Sequence, residues 1–113
     1  MNKRTFIALA LLLPVLVPHH SLAAADERLR AVEEMGRLNG IALQCRYARQ
    51  VKEIKLALIA HLPKERQMGR LFEEATNQSF LSSLADADGC PGEDALAAQI
   101  EAGIETMKRE FLD

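Results

Sequence analysis

The spacing of apolar residues along the chain predicts helices rather than strands. From residue 26 onwards, apolar side chains recur every three or four positions, which is the repeat of one face of an α-helix. The alternating apolar and polar runs, dense in Val, Thr and aromatics, that indicate strands do not occur. Good helix formers dominate, and the chain contains no Trp and one Tyr.

The first stretch of this pattern is too long for one helix. It runs from residue 26 to residue 62, and Asp26 can act as its N-cap. Globular helices are much shorter than this, so we expect a turn or sharp kink between Cys45 and Gln50. Pro63 ends the stretch and suits the first turn of the following helix.

Two further helices follow, separated by a loop. The third helix is expected from residue 64 to about 84 and the last from 93 to 111, because Asp, Gly and Pro cluster over residues 86–92. In the first helix, Gly36 and Gly40 lie four residues apart, and each weakens a helix. We expect them to admit a neighbouring helix of the same chain, with a groove for a partner as the alternative.

The beginning of the chain has the pattern of an export signal. A short basic start precedes an apolar run over residues 6–17, and Ala23 and Ala25 supply the small residues of a cleavage site. The run is shorter than the roughly 20 residues that cross a bilayer. We therefore expect residues 1–25 to be a cleaved signal peptide and residues 26–113 to be a single helical domain, either periplasmic or secreted.

The two cysteines predict a disulfide. Cys45 and Cys90 are an even pair in a small exported chain, and they lack the C-x-x-C spacing of redox-active pairs. A disulfide that closes a loop of this length stabilises a domain by about 4 kcal/mol in the chain-entropy model. The predicted fold is therefore an all-α bundle of three or four helices, stapled by one disulfide.

Charge is distributed unevenly along the chain. If Lys3 and Arg4 leave with the signal, twelve basic residues face sixteen acidic ones, a net charge of −4. An acidic balance argues against a nucleic-acid partner. Residues 46–70 contain seven basic and two acidic side chains, whereas residues 73–105 contain eight acidic side chains and no basic one.

Four of these basic residues form a candidate partner-docking surface, which we call the basic ridge: Arg46, Arg49, Lys52 and Lys55. Their three-residue spacing on a helix places them in one inclined row. One interpretation is a solvated face, partly paired with the acidic last helix. The other is a docking patch for an acidic partner or for anionic lipid.

The chain lacks the usual combinations of catalytic and metal-binding residues. Without the signal it has one histidine, His61, and no H-x-x-x-H, H-x-x-E or C-x-x-C spacing and no phosphate-binding glycine loop. Adjacent acids such as Glu33 and Glu34 point to different sides of a helix. We therefore expect no catalytic residue, no metal site and no cofactor, and we do not expect an enzyme.

What remains is a binding function. The leading hypothesis is a small exported helical protein that binds another exported protein, such as an inhibitor, immunity-type or accessory factor, which needs only a stable scaffold and a complementary surface. The alternative is an acid-stress periplasmic chaperone that holds unfolded clients. In architecture the chain is similar to the small helical chaperones of the enteric periplasm, with a cleaved signal, a short mature chain and one disulfide. No transmembrane span is expected in the mature chain.

Overall fold

A computed structural model describes residues 12–14, 20–86 and 89–112 of the chain. None of these residues lies in a strand, and no helix among them is both long and apolar enough to cross a membrane. The all-α prediction is confirmed. The helices are α1 (His20–Gln44), α2 (Ala48–His61), α3 (Arg66–Ala85) and α4 (Glu93–Glu110).

The predicted signal peptide lies mostly outside the described residues, and its cleavage stays a prediction. α1 begins at His20, so Asp26 lies within the helix instead of capping it. Ala23 and Ala25 are exposed, and the first buried residue of the described chain is Ala31. Cleavage after either exposed alanine would therefore remove none of the described residues that are buried.

The long apolar pattern breaks between α1 and α2, inside the predicted interval. The Tyr47 N–H donates to the Ala42 carbonyl at 2.9 Å, and the Arg46 N–H donates to the Leu43 carbonyl at 3.2 Å. These two bonds close a Schellman turn around Arg46, whose φ is +59°. Glycine is the usual residue at this left-handed position. Arginine stands there instead, so no glycine marks the break in the sequence.

The core lies between α1, α2 and α4, and each of these helices contacts the other two. Arg28 donates to the Glu110 carbonyl, and Arg37 donates to Gln99, so α4 runs antiparallel to α1. Burial of each large apolar side chain contributes about 1.5–3 kcal/mol. The buried cluster consists of Met35, Leu38, Ala42, Ile54, Ala57, Leu96, Ile100 and Met107.

α3 lies outside this core and packs against α1 alone. A Cβ added to Gly36 would lie 2.6 Å from the Cβ of Ala75, and one added to Gly40 would lie 2.5 Å from the carbonyl oxygen of Thr76. The residue further along α1, Gly40, meets residues further along α3 than Gly36 does, so the two helices are parallel. The expectation that the two glycines admit a helix of the same chain is confirmed.

The predicted disulfide is present. Cys45 and Cys90 are joined with a Cα–Cα distance of 5.6 Å, which links the end of α1 to the loop before α4. In the same corner the Tyr47 hydroxyl donates a 2.6 Å hydrogen bond to the carbonyl oxygen of Pro91. One covalent link and one hydrogen bond therefore fix the start of α4 against the turn between α1 and α2.

Candidate functional site

α2 presents one face to the core and the opposite face to solvent. Gln50, Ile54 and Ala57 are buried at the four- and three-residue spacing of a single helix face. Leu56 and Ile59 point the other way, with 55% and 63% of their surfaces exposed.

The four residues of the basic ridge are all exposed, but they do not all belong to α2. Arg46 occupies the left-handed turn before the helix, and Arg49, Lys52 and Lys55 continue the row along α2 itself. The ridge thus begins in the corner that the disulfide holds and crosses the solvent-facing side of α2.

No acidic side chain of the described residues pairs with the ridge. The ion pairs in residues 20–86 and 89–112 each join two residues three apart in one helix: Arg30 with Glu27, Arg37 with Glu34, and Lys108 with Glu105. Pairing of the ridge with the acidic last helix, which the sequence left open, is therefore not found in the described part of the chain.

An exposed apolar side chain and an acidic groove adjoin the basic ridge. Lys52 is separated from Leu56 by one helical turn, so the exposed apolar side chain stands directly beside a cation. On its far side, Leu56 lines a groove between α2 and α4 together with Glu53, Asp94 and Glu101. The surface therefore combines cations that pair with no acidic side chain of the described residues, two exposed apolar side chains and an adjoining acidic groove.

His61 lines a groove at the end of α2. This histidine is half-buried, and Arg28, Lys108 and Phe111 line the same groove. Glu105 is the acidic residue of that groove, and it is paired with Lys108. The described residues that line the groove include no Ser, Thr or Cys, so a nucleophile for the histidine to activate is not placed there.

Metal ligands do not converge in the described residues. No three His, Cys, Asp or Glu side chains lie close enough together there to hold an ion. Cys45 and Cys90 are both consumed by the disulfide, and neither is a free thiol.

A junction at Arg37 joins three helices, and reasoning from the sequence missed it. The guanidinium makes two hydrogen bonds to the Glu34 carboxylate, at 2.8 and 2.6 Å, and a third to Gln99 of α4 at 3.4 Å. The bonds to Glu34 raise the pKa of Arg37, against a smaller opposing effect of burial. The Ser79 hydroxyl of α3 donates to the Arg37 carbonyl at 2.6 Å. Only the three-residue spacing of Glu34 and Arg37 was visible in the sequence.

Comparison of the chain with known proteins gives no assignment. No protein-family model matches it, and neither does a curated protein or a solved structure.

Proposed function

We propose that this chain is an exported, non-enzymatic protein that binds another exported protein through the basic ridge, in the manner of an inhibitor, immunity-type or accessory factor. The proposal rests on two properties of the basic ridge: its side chains are exposed, and no acidic side chain of the described residues pairs with them. Arg49, Lys52 and Lys55 are exposed on a helix whose opposite face is buried, and no ion pair within the described residues involves them.

The support beneath the ridge favours binding. Ile54 and Ala57 hold α2 in the core, and the disulfide with the Tyr47 hydrogen bond fixes its beginning. A surface that is already ordered loses little conformational entropy when a partner docks. The ridge is therefore presented in a fixed geometry before binding.

The chemistry of the surface indicates the chemistry of the partner. Leu56 and Ile59 supply apolar area among the cations, and protein interfaces combine an apolar centre with a polar rim. Unpaired cations accelerate the approach of an acidic surface and select for it. The expected partner offers an apolar contact with carboxylates on the side of the cations, away from the groove that Glu53, Asp94 and Glu101 line. The disulfide suits a compartment outside the reducing cytoplasm.

The proposal is tested by capture with charge-reversed baits. Purified oxidised protein, cleaved at its signal, is immobilised and exposed to the exported protein fraction of its source, and the bound proteins are identified by mass spectrometry. The ridge variant carries Lys52→Glu with Lys55→Glu. The control carries Lys64→Glu with Arg66→Glu, an equal change of charge at exposed residues outside the ridge.

We expect the unchanged protein and the control to capture the same partner in equal amounts. The ridge variant should capture about one tenth of that amount or less. Equal recovery by the ridge variant would show that the ridge is a solvated face.

A further inference from the structure

α3 packs outside the core that the other three helices form, and this position suggests that it can leave the core by itself. We propose that α3 separates from the core formed by α1, α2 and α4 and unfolds as a unit, while both of its ends stay attached to that core. The inference concerns the conformational behaviour of the fold and does not depend on the identity of a partner.

The core is complete without α3. Every residue of the buried apolar cluster belongs to α1, α2 or α4. α3 has one buried residue, Thr76, which is polar, and its closest approach to the cluster is the partly buried Phe72. Segments with few buried apolar contacts open at lower free energy than the core around them. α3 has no buried apolar side chain, whereas each of the other three helices has at least two. Its contact with α1 is nevertheless the most extensive between any two helices of the bundle.

α3 is held mainly by the fit of two backbones. Gly36 and Gly40 of α1 face Ala75 and Thr76 of α3 so closely that neither glycine has room for a Cβ. Small residues bury little apolar area, so their contribution comes from close van der Waals contact, which is lost steeply when the surfaces separate. Such an interface has no stable half-separated state. The methyl group that alanine would add at Gly36 or Gly40 is enough to push the two helices apart.

The polar contacts between α1 and α3 also make opening easier. Asn39 donates a 3.2 Å hydrogen bond to the Thr76 hydroxyl in the buried interface, and Ser79 bonds the Arg37 carbonyl. When the helices separate, water can satisfy each of these groups. Opening therefore exchanges these hydrogen bonds for hydrogen bonds to water, at lower cost than exposing apolar side chains of the same size.

Both ends of the α3 segment are fastened to the core. Before α3, the partly buried Leu58 packs α2 against the buried cluster, and beyond α3 the disulfide joins Cys90 to Cys45. α3 (Arg66–Ala85) thus lies between two points of the chain that are held in the core. The disulfide keeps the start of α4 in place when α3 leaves, so opening does not release α4.

Opening has a defined consequence for the surface of the molecule. It uncovers the strip of α1 that contains Gly36, Asn39 and Gly40, which α3 covers in the closed state. Asn39 is 8% exposed when the molecule is closed and becomes solvated when it is open.

Amide hydrogen exchange of the oxidised protein, resolved by mass spectrometry, tests this inference. We expect α3 amides to exchange about tenfold faster than those of α4 at neutral pH, or faster still. Gly36→Ala raises the free energy of the closed state, so we expect it to accelerate exchange in α3. The matched variant is Gly69→Ala, because Gly69 lies within α3 and its added Cβ would meet no atom within 4 Å. Alanine favours the helix there, so this variant should slow exchange in α3. Tyr47→Phe removes a hydrogen bond outside α3, so it should accelerate exchange in α4 but leave exchange in α3 unchanged.

Three results would overturn the inference. The first is equal protection of α3 and α4 in the unchanged protein. The second is failure of Gly36→Ala to fold, which would mean that the core depends on α3. The third is equal acceleration of exchange in α3 and α4 by Tyr47→Phe, which would mean that the two helices open only together.

Discussion

The Tyr47 hydroxyl lies 2.6 Å from the carbonyl oxygen of Pro91 and donates a hydrogen bond to it, next to the disulfide between Cys45 and Cys90. Tyr47 follows the turn that ends α1, and Pro91 precedes α4 by two residues. The corner where three helix ends meet is therefore held by two neighbouring links of different chemistry.

Tyr47→Phe tests the hydrogen bond without removing the ring. We expect the free energy of unfolding to fall by about 1 kcal/mol, because the Pro91 carbonyl loses a partner in a partly buried position. Urea unfolding of the oxidised protein measures the change. An unchanged midpoint would mean that water replaces the hydroxyl without loss.

The disulfide should be structural. Thiol labelling of the native protein is expected to find no free thiol, and Cys45→Ser with Cys90→Ser should lower the free energy of unfolding by about 2–4 kcal/mol. Partner binding by the fraction that remains folded should be unchanged. If reduction abolished binding but left the melting temperature where it was, the cysteines would instead be redox-active.

Arg46 offers a way to separate charge from backbone strain. Its φ of +59° is unfavourable for any residue with a Cβ, so Arg46→Gly should raise the free energy of unfolding by about 1 kcal/mol. The matched variant is Arg46→Ala, which removes the same charge but keeps the Cβ, and we expect it to gain nothing. Urea unfolding of both variants decides. Equal stabilisation by glycine and alanine would attribute the gain to the lost charge.

Two glycines should differ in their tolerance of alanine. A Cβ at Gly40 would meet backbone atoms of Thr76 and Phe80 at 2.5 and 2.7 Å, so the helices must separate, and we expect a loss of about 2 kcal/mol or more. At Gly103 the nearest atom is the sulfur of Met35, at 2.8 Å. That side chain can move, and alanine favours the helix, so the net change should stay within about 1 kcal/mol.

Thermal unfolding followed by circular dichroism compares Gly40→Ala with Gly103→Ala. Equal losses would mean that the approach of α1 to α3 is no more rigid than the core contact at Met35.

The sequence was sufficient for local features of the fold and insufficient for its arrangement. The break before α2 followed from the length of the apolar pattern, and the disulfide between Cys45 and Cys90 followed from their number and context. The position of α3 could not be read, because Gly36 and Gly40 indicate a close helix without saying which one. The outward turn of Leu56 also depends on where α1 and α4 meet α2, which periodicity along a single helix does not contain.

The candidate site was predictable to a similar degree. The three-residue spacing identified the basic ridge, and the exposure of its four residues agrees with a surface role. Whether the acidic α4 neutralises these cations depends on distances between helices, and the sequence left both interpretations open. The apolar contribution of Leu56 and Ile59 to the same surface was not predicted, because periodicity alone does not show which apolar residues of a helix face solvent.

The central claim is that the basic ridge binds an acidic protein, and the dissociation constant of the captured partner tests it most directly. Titration calorimetry at low and at physiological salt compares the unchanged protein, the ridge variant Lys52→Glu with Lys55→Glu, and the control Lys64→Glu with Arg66→Glu. We expect the ridge variant to bind about tenfold more weakly or worse and to lose most of the salt dependence, while the control binds like the unchanged protein. Equal affinities for all three proteins would contradict the claim. So would the absence of any single partner together with suppression of aggregation of unrelated proteins at about pH 2–3, which would favour the acid-stress chaperone.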